Sequence, residues 1–598
     1  MSRKSKAVTA VSTVISMLVL TACGSVNLSG MSRELDNRID ERIEAALSGE
    51  TAEEEAPEAY EIEEKELPLY TSNDPAEMTL KVAFINNVTD VPYINIKDAM
   101  DLLVMVNQAR GASDYEITYE DKGEQLKLIR ENGYPVLVDC KEDTIDFLDY
   151  DAFITSSTSP TLLDVVEDLG IDEEGNAAYF EHSDSSYERY GETVTIRPGD
   201  YGIDLVQADG KYYMPLQLFS DFFAQSLKVQ VLYNGSALFW ISGPETAAVS
   251  EVYYDVERPE KRSKELIDFN YNELCLMLDN FYGLKDQHDI KDFNTLFMET
   301  GLITGLMSED PQEAGQAVAD LTNLHLDDLH SGNGDRSWMM GNDVEKIKGP
   351  SILRYLADIE RYREARNKYY PDGCPGYEEV GNTAYITFDG FDYTGVDYYK
   401  EKAQNDPEDT IGLMIYAYDM INRKDSPVEN VVLDLSNNGG GAATSAAYVI
   451  GMFLGDASIS VKDTMTGALV TQNYRIDANL DRKFDEKDSL SGHNLFCLIS
   501  PKSFSCGNLV PSVLKNSHTV TMIGQTSGGG SCAVLAASTA DGNTFQISGP
   551  LCMSYMKNGS FYDIDQGVDP DFILANPDLY YDREHLTEYI NTEILQKQ

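Results

Sequence analysis

The residues best placed to do chemistry fall in two stretches. The first is Val431-Val-Leu-Asp-Leu-Ser-Asn-Asn-Gly-Gly-Gly441, an apolar run that breaks into a triple-glycine turn before the small-residue pattern of 442–451. Each glycine adds to the entropy lost on folding, so three in a row are costly for merely ending a strand. They suit a place where bare backbone N–H groups must approach a ligand, and the first N–H groups of a following helix have no internal partners. Such a loop can hold an oxyanion; it can equally be a tight strand-to-helix turn. The second stretch is Leu498-Ile-Ser-Pro-Lys-Ser-Phe-Ser505-Cys-Gly-Asn508, followed by a helix pattern at Leu509, Val513 and Leu514. A serine hydroxyl at a strand-to-helix turn is exposed, and the Cys506 N–H lies beside it. Nucleophile plus adjacent backbone donor is what acyl transfer needs. The serine can also simply cap the helix.

These stretches need a scaffold, and the chain is long enough for several. Its 598 residues suggest roughly three or four domains. A net charge of −55 disfavours nucleic acid or anionic lipid as partner. At the N-terminus, Arg3, Lys4 and Lys6 precede an apolar run that ends in Leu20-Thr21-Ala22-Cys23. That ending resembles the bacterial lipobox. It implies a signal peptide over 1–22, a lipid anchor on Cys23, and a protein tethered to the cell membrane on its extracytoplasmic face. Seven further cysteines include no CxxC pair, so a structural zinc site is not expected.

Residues 23–77 read as an acidic spacer, with nine glutamates and one lysine between Glu50 and Glu66. A short helix is expected over 32–47, where Leu35, Ile39, Ile43 and Leu47 recur at helical spacing. Residues 78–245 contain an internal repeat, each copy reading strand, amphipathic helix, strand, turn, strand. One copy starts at Val91-Pro-Tyr-Ile-Asn-Ile and the other at Lys211-Tyr-Tyr-Met-Pro-Leu. The repeat resembles the N-terminal domain of copper amine oxidases, which implies an accessory module without catalytic or metal residues. Residues 255–340 read as helical, with helices around 269–281, 293–307 and 311–329. Residues 345–598 alternate strands and helices, as in an α/β core.

The order of Thr383–Phe391, the glycine loop, Ser505 and Ile523-Gly-Gln-Thr-Ser-Gly-Gly-Gly530 resembles the catalytic domain of the tail-specific, or C-terminal processing, peptidases. Tricorn protease and the retinoid-binding repeats of the vertebrate eye are relatives. The resemblance implies a core of the ClpP/crotonase type, a peptide or protein substrate and no cofactor. Asp434-Leu-Ser-Asn-Asn-Gly-Gly-Gly441 follows the family's "DLRxNxGG", with Ser436 replacing arginine. It implies that the N–H of Gly439 or Gly440, with that of Cys506, stabilises the oxyanion. Ser503-Phe-Ser505-Cys follows "SxSE", with Ser505 as nucleophile and Cys506 replacing glutamate.

The departures bear on the base. The family lysine falls at Gly530, and no lysine occurs between Lys515 and Lys557. Leu326-Asp-Asp-Leu-His330-Ser331 is similar to the segment that carries a histidine base in the tricorn-like branch. Histidine accepts a serine proton well near neutral pH. His330 is therefore expected as base, ahead of His325, with Ser331 beside it. Tyr562-Asp563-Ile-Asp565-Gln-Gly-Val-Asp-Pro-Asp571 resembles the family's "E/D-x-G-V-x-P-D" segment, which implies Asp565, before Asp563, as supporting carboxylate. Cys506 is expected to pack, or to bridge to Cys532, and Lys502 to lie at the surface. No PDZ module is evident between His330 and Thr383. The rival expectations are a peptidase-like binding protein that has lost catalysis and an envelope scaffold acting through 78–245.

Overall fold

The computed structural model describes residues 60–597 apart from 73–77, 110–113, 131–132, 155–178, 244 and 335–336. The expected signal peptide, Cys23 and the 32–47 helix lie outside the described residues. Among the described residues no helix is long and apolar enough to cross a membrane.

A six-stranded sheet forms the centre of the C-terminal half. Its order is Tyr377–Val380, Thr383–Thr387, Asn430–Asp434, Asn494–Ile499, Val520–Gly524 and Phe572–Ile573. All neighbouring pairs are parallel except the first. Parallel strands need crossovers, which are largely helical here: Thr410–Ile421, Ala443–Leu454 and Cys506–Asn516. Asn430–Asp434 is buried along its whole length, as a near-continuous apolar run between two helical layers should be. The strand ends gather the loops that carry the glycines and Ser505, the usual place for a ligand in an open α/β sheet.

A second sheet packs beside this one. It runs Gly332–Asn333, Thr544–Lys557, Ala457–Asp463, Leu469–Ile476 and Phe180–Arg189, with Cys532–Ser538 and Ser560–Tyr562 also paired to Thr544–Lys557. Phe180–Arg189 comes from the region expected to be an accessory module, yet it pairs with Leu469–Ile476.

The N-terminal repeat elements are present, but the two copies are used differently. Tyr93–Asn95 pairs with Lys211–Pro215 in one seven-stranded sheet, so the first strands of both copies meet. The later strands of the second copy, Gln230–Tyr233 and Leu238–Ile241, stay in that sheet. Those of the first copy, Ile117–Asp121 and Gln125–Arg130, belong to a separate five-stranded sheet. Ile62–Thr71, expected as spacer, is a strand antiparallel to Met78–Ile85. Its Glu64 meets Lys81 and Lys211, which offsets some of the like-charge repulsion.

The helical region differs from expectation at two points. The helix expected over 293–307 is broken at Gly301, whose φ of 80° ends Phe293–Thr300 before Leu302–Leu306 begins. The next, Pro311–Asp320, starts at the Asp310 cap and widens into a π turn over Leu321–His325. His330 therefore sits on a loop that leads into Gly332–Asn333, not at the end of a helix.

Candidate active site

Ser505 occupies the cap position of Cys506–Asn516 with φ 56° and ψ −123°. A non-glycine residue held there costs roughly 1–3 kcal/mol. Its surroundings impose the conformation. Ser505 N donates to Gly529 O at 2.9 Å, and Ser505 O accepts from the N–H groups of Asn508 and Leu509, both at 2.8 Å. Its side chain makes no cap hydrogen bond to the helix. Gly440, at φ 109°, lies against it: a Cβ there would be 2.7 Å from Ser505 Cβ and 3.1 Å from Oγ. Only glycine allows so close an approach.

The two expected glycine donors are engaged inside the loop. Gly439 N donates to Asp389 O at 3.0 Å, and Gly440 N donates to Asn438 Oδ1 at 2.9 Å. The Cys506 N–H opens its helix and has no intrahelical acceptor. Cys506 itself packs inward, with Sγ 3.1 Å from Gly441 O, and does not approach Cys532 as a bridge would require. Cys532 faces Cys552 instead. Burial pushes the Cys506 thiol up to about 12, so it is a poor nucleophile. Asn508 is buried and ties two loops together. It donates to Ile564 O at 2.9 Å and accepts from Ser527 Oγ at 2.7 Å.

His330 is buried, and its ring lies 4.6 Å from the Phe504 ring. Burial lowers its pKa, partly opposed by the charge of Asp328. Its Nε2 has no hydrogen-bond partner, so no bond joins it to Ser505 Oγ. The backbone is held from both sides: His330 N donates to Asp328 Oδ1 at 3.0 Å, and His330 O accepts from Gln546 at 2.8 Å. Phe504 also meets Tyr355 edge-on, with ring centroids 5.7 Å apart.

A Cβ on Gly530 would lie 2.5 Å from the Phe504 ring, so the ring fills the room a side chain at 530 would need. Lys502, expected at the surface, is half-buried, and burial lowers its pKa.

Asp565 accepts from Ser531 N at 3.2 Å, while its backbone oxygen accepts from Gly530 N. Burial raises its carboxyl pKa. His330, Asp328, Phe504, Gly530 and Asp565 line one cavity of about 320 Å³; Ser505 is adjacent in the chain but does not line it. Asp563 is exposed and accepts from Asp565 N. His325 is half-buried in the π turn.

The expected list lacked Asp328. Its carboxylate accepts from the N–H groups of His330 and Ser331, from Ser331 Oγ at 2.6 Å, from Tyr282 OH at 2.9 Å and from Ser548 Oγ at 2.8 Å. It joins the His330 loop to the helical region and to Thr544–Lys557. The hydroxyl of Ser331 is thus committed to Asp328. Among the described residues no group of three or more His, Cys, Asp or Glu is arranged to hold a metal ion.

Ser505 thus opens a helix with the glycine loop against it, and the buried His330 lies on the neighbouring cavity. Residues 382–574 match the model of peptidase family S41. No curated protein matches the chain. Among solved structures, a photosystem II D1 C-terminal processing protease is 18% identical with a TM-score of 0.26, over 35% of this chain and 47% of its own. A lipoprotein from Streptococcus agalactiae is 14% identical with a TM-score of 0.33, over 56% and 98%. Mature CPAF is 11% identical with a TM-score of 0.35, over 55% and 95%. This chain spans about half of the D1 processing protease, and likenesses this distant carry no function by themselves.

Proposed function

We propose that this protein is a lipid-anchored extracytoplasmic serine peptidase in which Ser505 is the nucleophile and His330 the base. The observation that carries the reading is Ser505 itself. Its backbone is held at positive φ in a sparsely populated conformation at a helix start, with Gly440 pressed against the hydroxyl. The parallel sheet that presents it is in keeping with a ClpP/crotonase-type core of the tricorn-like branch.

In this scheme Ser505 Oγ attacks the carbonyl carbon of a peptide or protein substrate. His330 Nε2 takes the hydroxyl proton and returns it to the leaving amine. Burial suits His330 to the first step, because it keeps the imidazole neutral. Nε2 is unpartnered and so is free to accept once the two side chains close to bonding distance. The oxyanion is held by the Cys506 N–H, with Gly440 N–H when it exchanges Asn438 Oδ1 for substrate. Asp328 and Ser331 steady the base loop. Asp565 holds residues 530–531, next to the Gly529 carbonyl that fixes Ser505. Cys23 supplies the anchor, and the lipobox resemblance is its support.

One observation favours a second reading, a peptidase-like binding protein. Both glycine N–H groups are already engaged, and Ser505 and His330 are not hydrogen-bonded. A serine-directed fluorophosphonate separates the two. The peptidase reading expects labelling of wild type and none of Ser505→Ala or His330→Ala. Equal labelling of wild type and Ser505→Ala would sink it.

A further inference from the structure

Behind the candidate site two thiols face each other. Cys532 and Cys552 lie opposite one another on the antiparallel strands Cys532–Ser538 and Thr544–Lys557, with their Sγ atoms 3.5 Å apart. Both are buried. Directly opposed residues of an antiparallel pair have Cα atoms about 4.5–5.5 Å apart, inside the span of about 4.4–6.8 Å that a disulfide bridges. Side-chain rotation alone can therefore bring the sulfurs into bonding distance. The pairing is fixed by a ladder irregularity: one strand runs from Val534 to Cys532 while its partner runs from Ser548 to Cys552.

The pair touches the segments that support the site. Gly283 packs on Cys532, since a Cβ there would be 3.2 Å from its Sγ. The preceding residue, Tyr282, donates to Asp328, which holds the His330 loop. On the other side Ser531 N donates to Asp565, and Gly529 O accepts from Ser505 N. The dithiol thus closes the end of residues 529–532, on which the nucleophile and the carboxylate both rest.

We propose that Cys532 and Cys552 form a redox-responsive pair that closes to a disulfide under oxidising conditions and clamps residues 529–532 behind the active site. The coupling to turnover rests on the peptidase reading above; the bond itself does not. In the reaction two S–H bonds break and one S–S bond forms. Two protons and two electrons pass to a disulfide oxidant such as glutathione disulfide, which leaves as two thiols after a mixed-disulfide intermediate. The neighbouring Cys552 sulfur and burial keep the Cys532 thiol protonated, so exchange in the folded protein is slow and the pair is read only after long equilibration.

The test uses the full chain, exported to an oxidising bacterial periplasm and afterwards equilibrated in glutathione buffers of rising oxidised fraction. Free thiols are alkylated after denaturation and the peptides are mapped without reduction. The expected result is one linked pair of peptides holding Cys532 and Cys552. The linked protein should melt several degrees higher than the reduced protein. Its turnover should differ from that of the reduced protein by at least about twofold, through the altered mobility of the site segment. In Cys552→Ala the link is absent and turnover no longer responds to the buffer. Full alkylation of both cysteines at every oxidised fraction would overturn the proposal. A linked pair with unchanged turnover would overturn the coupling to the site. A linked pair in a protein without peptidase activity would support the bond and count only against the function.

Discussion

Replacing Asp328 by asparagine keeps the shape of the side chain but removes the charge that five donors share. Oδ1 takes His330 N, Ser331 N and Ser548 Oγ; Oδ2 takes Ser331 Oγ and Tyr282 OH. A hydrogen bond to a charged group is worth about 1.5–3 kcal/mol and a neutral one about 0.5–1.5, so each of the five weakens by about 1 kcal/mol. That sets an upper bound of about 5 kcal/mol. The two hydroxyls at Oδ2 can rotate and accept from the new amide, which leaves an expected destabilisation of roughly 2–4 kcal/mol. Denaturant titration of wild type and Asp328→Asn measures it. The same variant reports on the base. The charge of Asp328 is what raises the His330 pKa against burial, so its loss moves the acid limb of the kcat/KM profile to lower pH. A loosened His330 loop should also lower kcat by about 10- to 100-fold. A variant within about 0.5 kcal/mol of wild type, with the acid limb unmoved or moved upward, would refute the assignment of Asp328 as the residue that holds the base.

Further outcomes follow from the same contacts. His330 is depressed by burial, so wild-type kcat/KM should persist as pH falls through the ordinary imidazole range and drop only below it; an acid limb above that range would exclude His330 as base. Its stability term has the same direction, present above the unfolded value and lost as pH falls through the folded one. Gly530→Ala adds a Cβ 2.5 Å from Phe504 at a φ of 85° and should cost roughly 2–4 kcal/mol, recovered in part by Phe504→Ala, as a double-mutant denaturation cycle will show. Two carboxyl pairs, Asp151 with Asp463 and Asp221 with Glu273, are buried and held protonated in part by burial. Their folded pKa values are raised, so the stability they contribute is present below the unfolded carboxylate range and is lost as pH rises through the folded values. Asp463→Asn should therefore melt higher than wild type in mildly alkaline buffer but not in mildly acidic buffer; an equal shift in both would remove the shared proton from the explanation.

The central sheet and the turn that carries Ser505 were legible because their signals are local. Val431–Leu435 is an apolar run of strand length, and the glycines and small residues after it leave few alternatives. The extent of the helices was less legible. Gly301 lies inside a pattern that is apolar enough to continue, and only its left-handed backbone breaks it. Asp328 could not be told apart in a chain with 101 acidic residues. What marks it is five donors converging from three parts of the sequence, and spacing does not encode that. That residue 530 is a glycine was visible, but its neighbour was not: the ring of Phe504, the residue before Ser505, occupies the space a side chain at 530 would need. The states of the Gly439 and Gly440 N–H groups depend on Asp389 and Asn438, and no motif announces such partners.

The strand Phe180–Arg189 carries a consequence for how the chain comes into being. Ser183 Oγ bonds to Asn473 O across 290 residues of sequence. Closing so long a loop must be repaid by contacts that form only when both ends are present. This edge cannot zip until the chain has been made past Ile476. The N-terminal third must wait for its partner, so a chain stalled before Leu469 would leave Phe180–Arg189 as an unpaired strand on which other chains could pair.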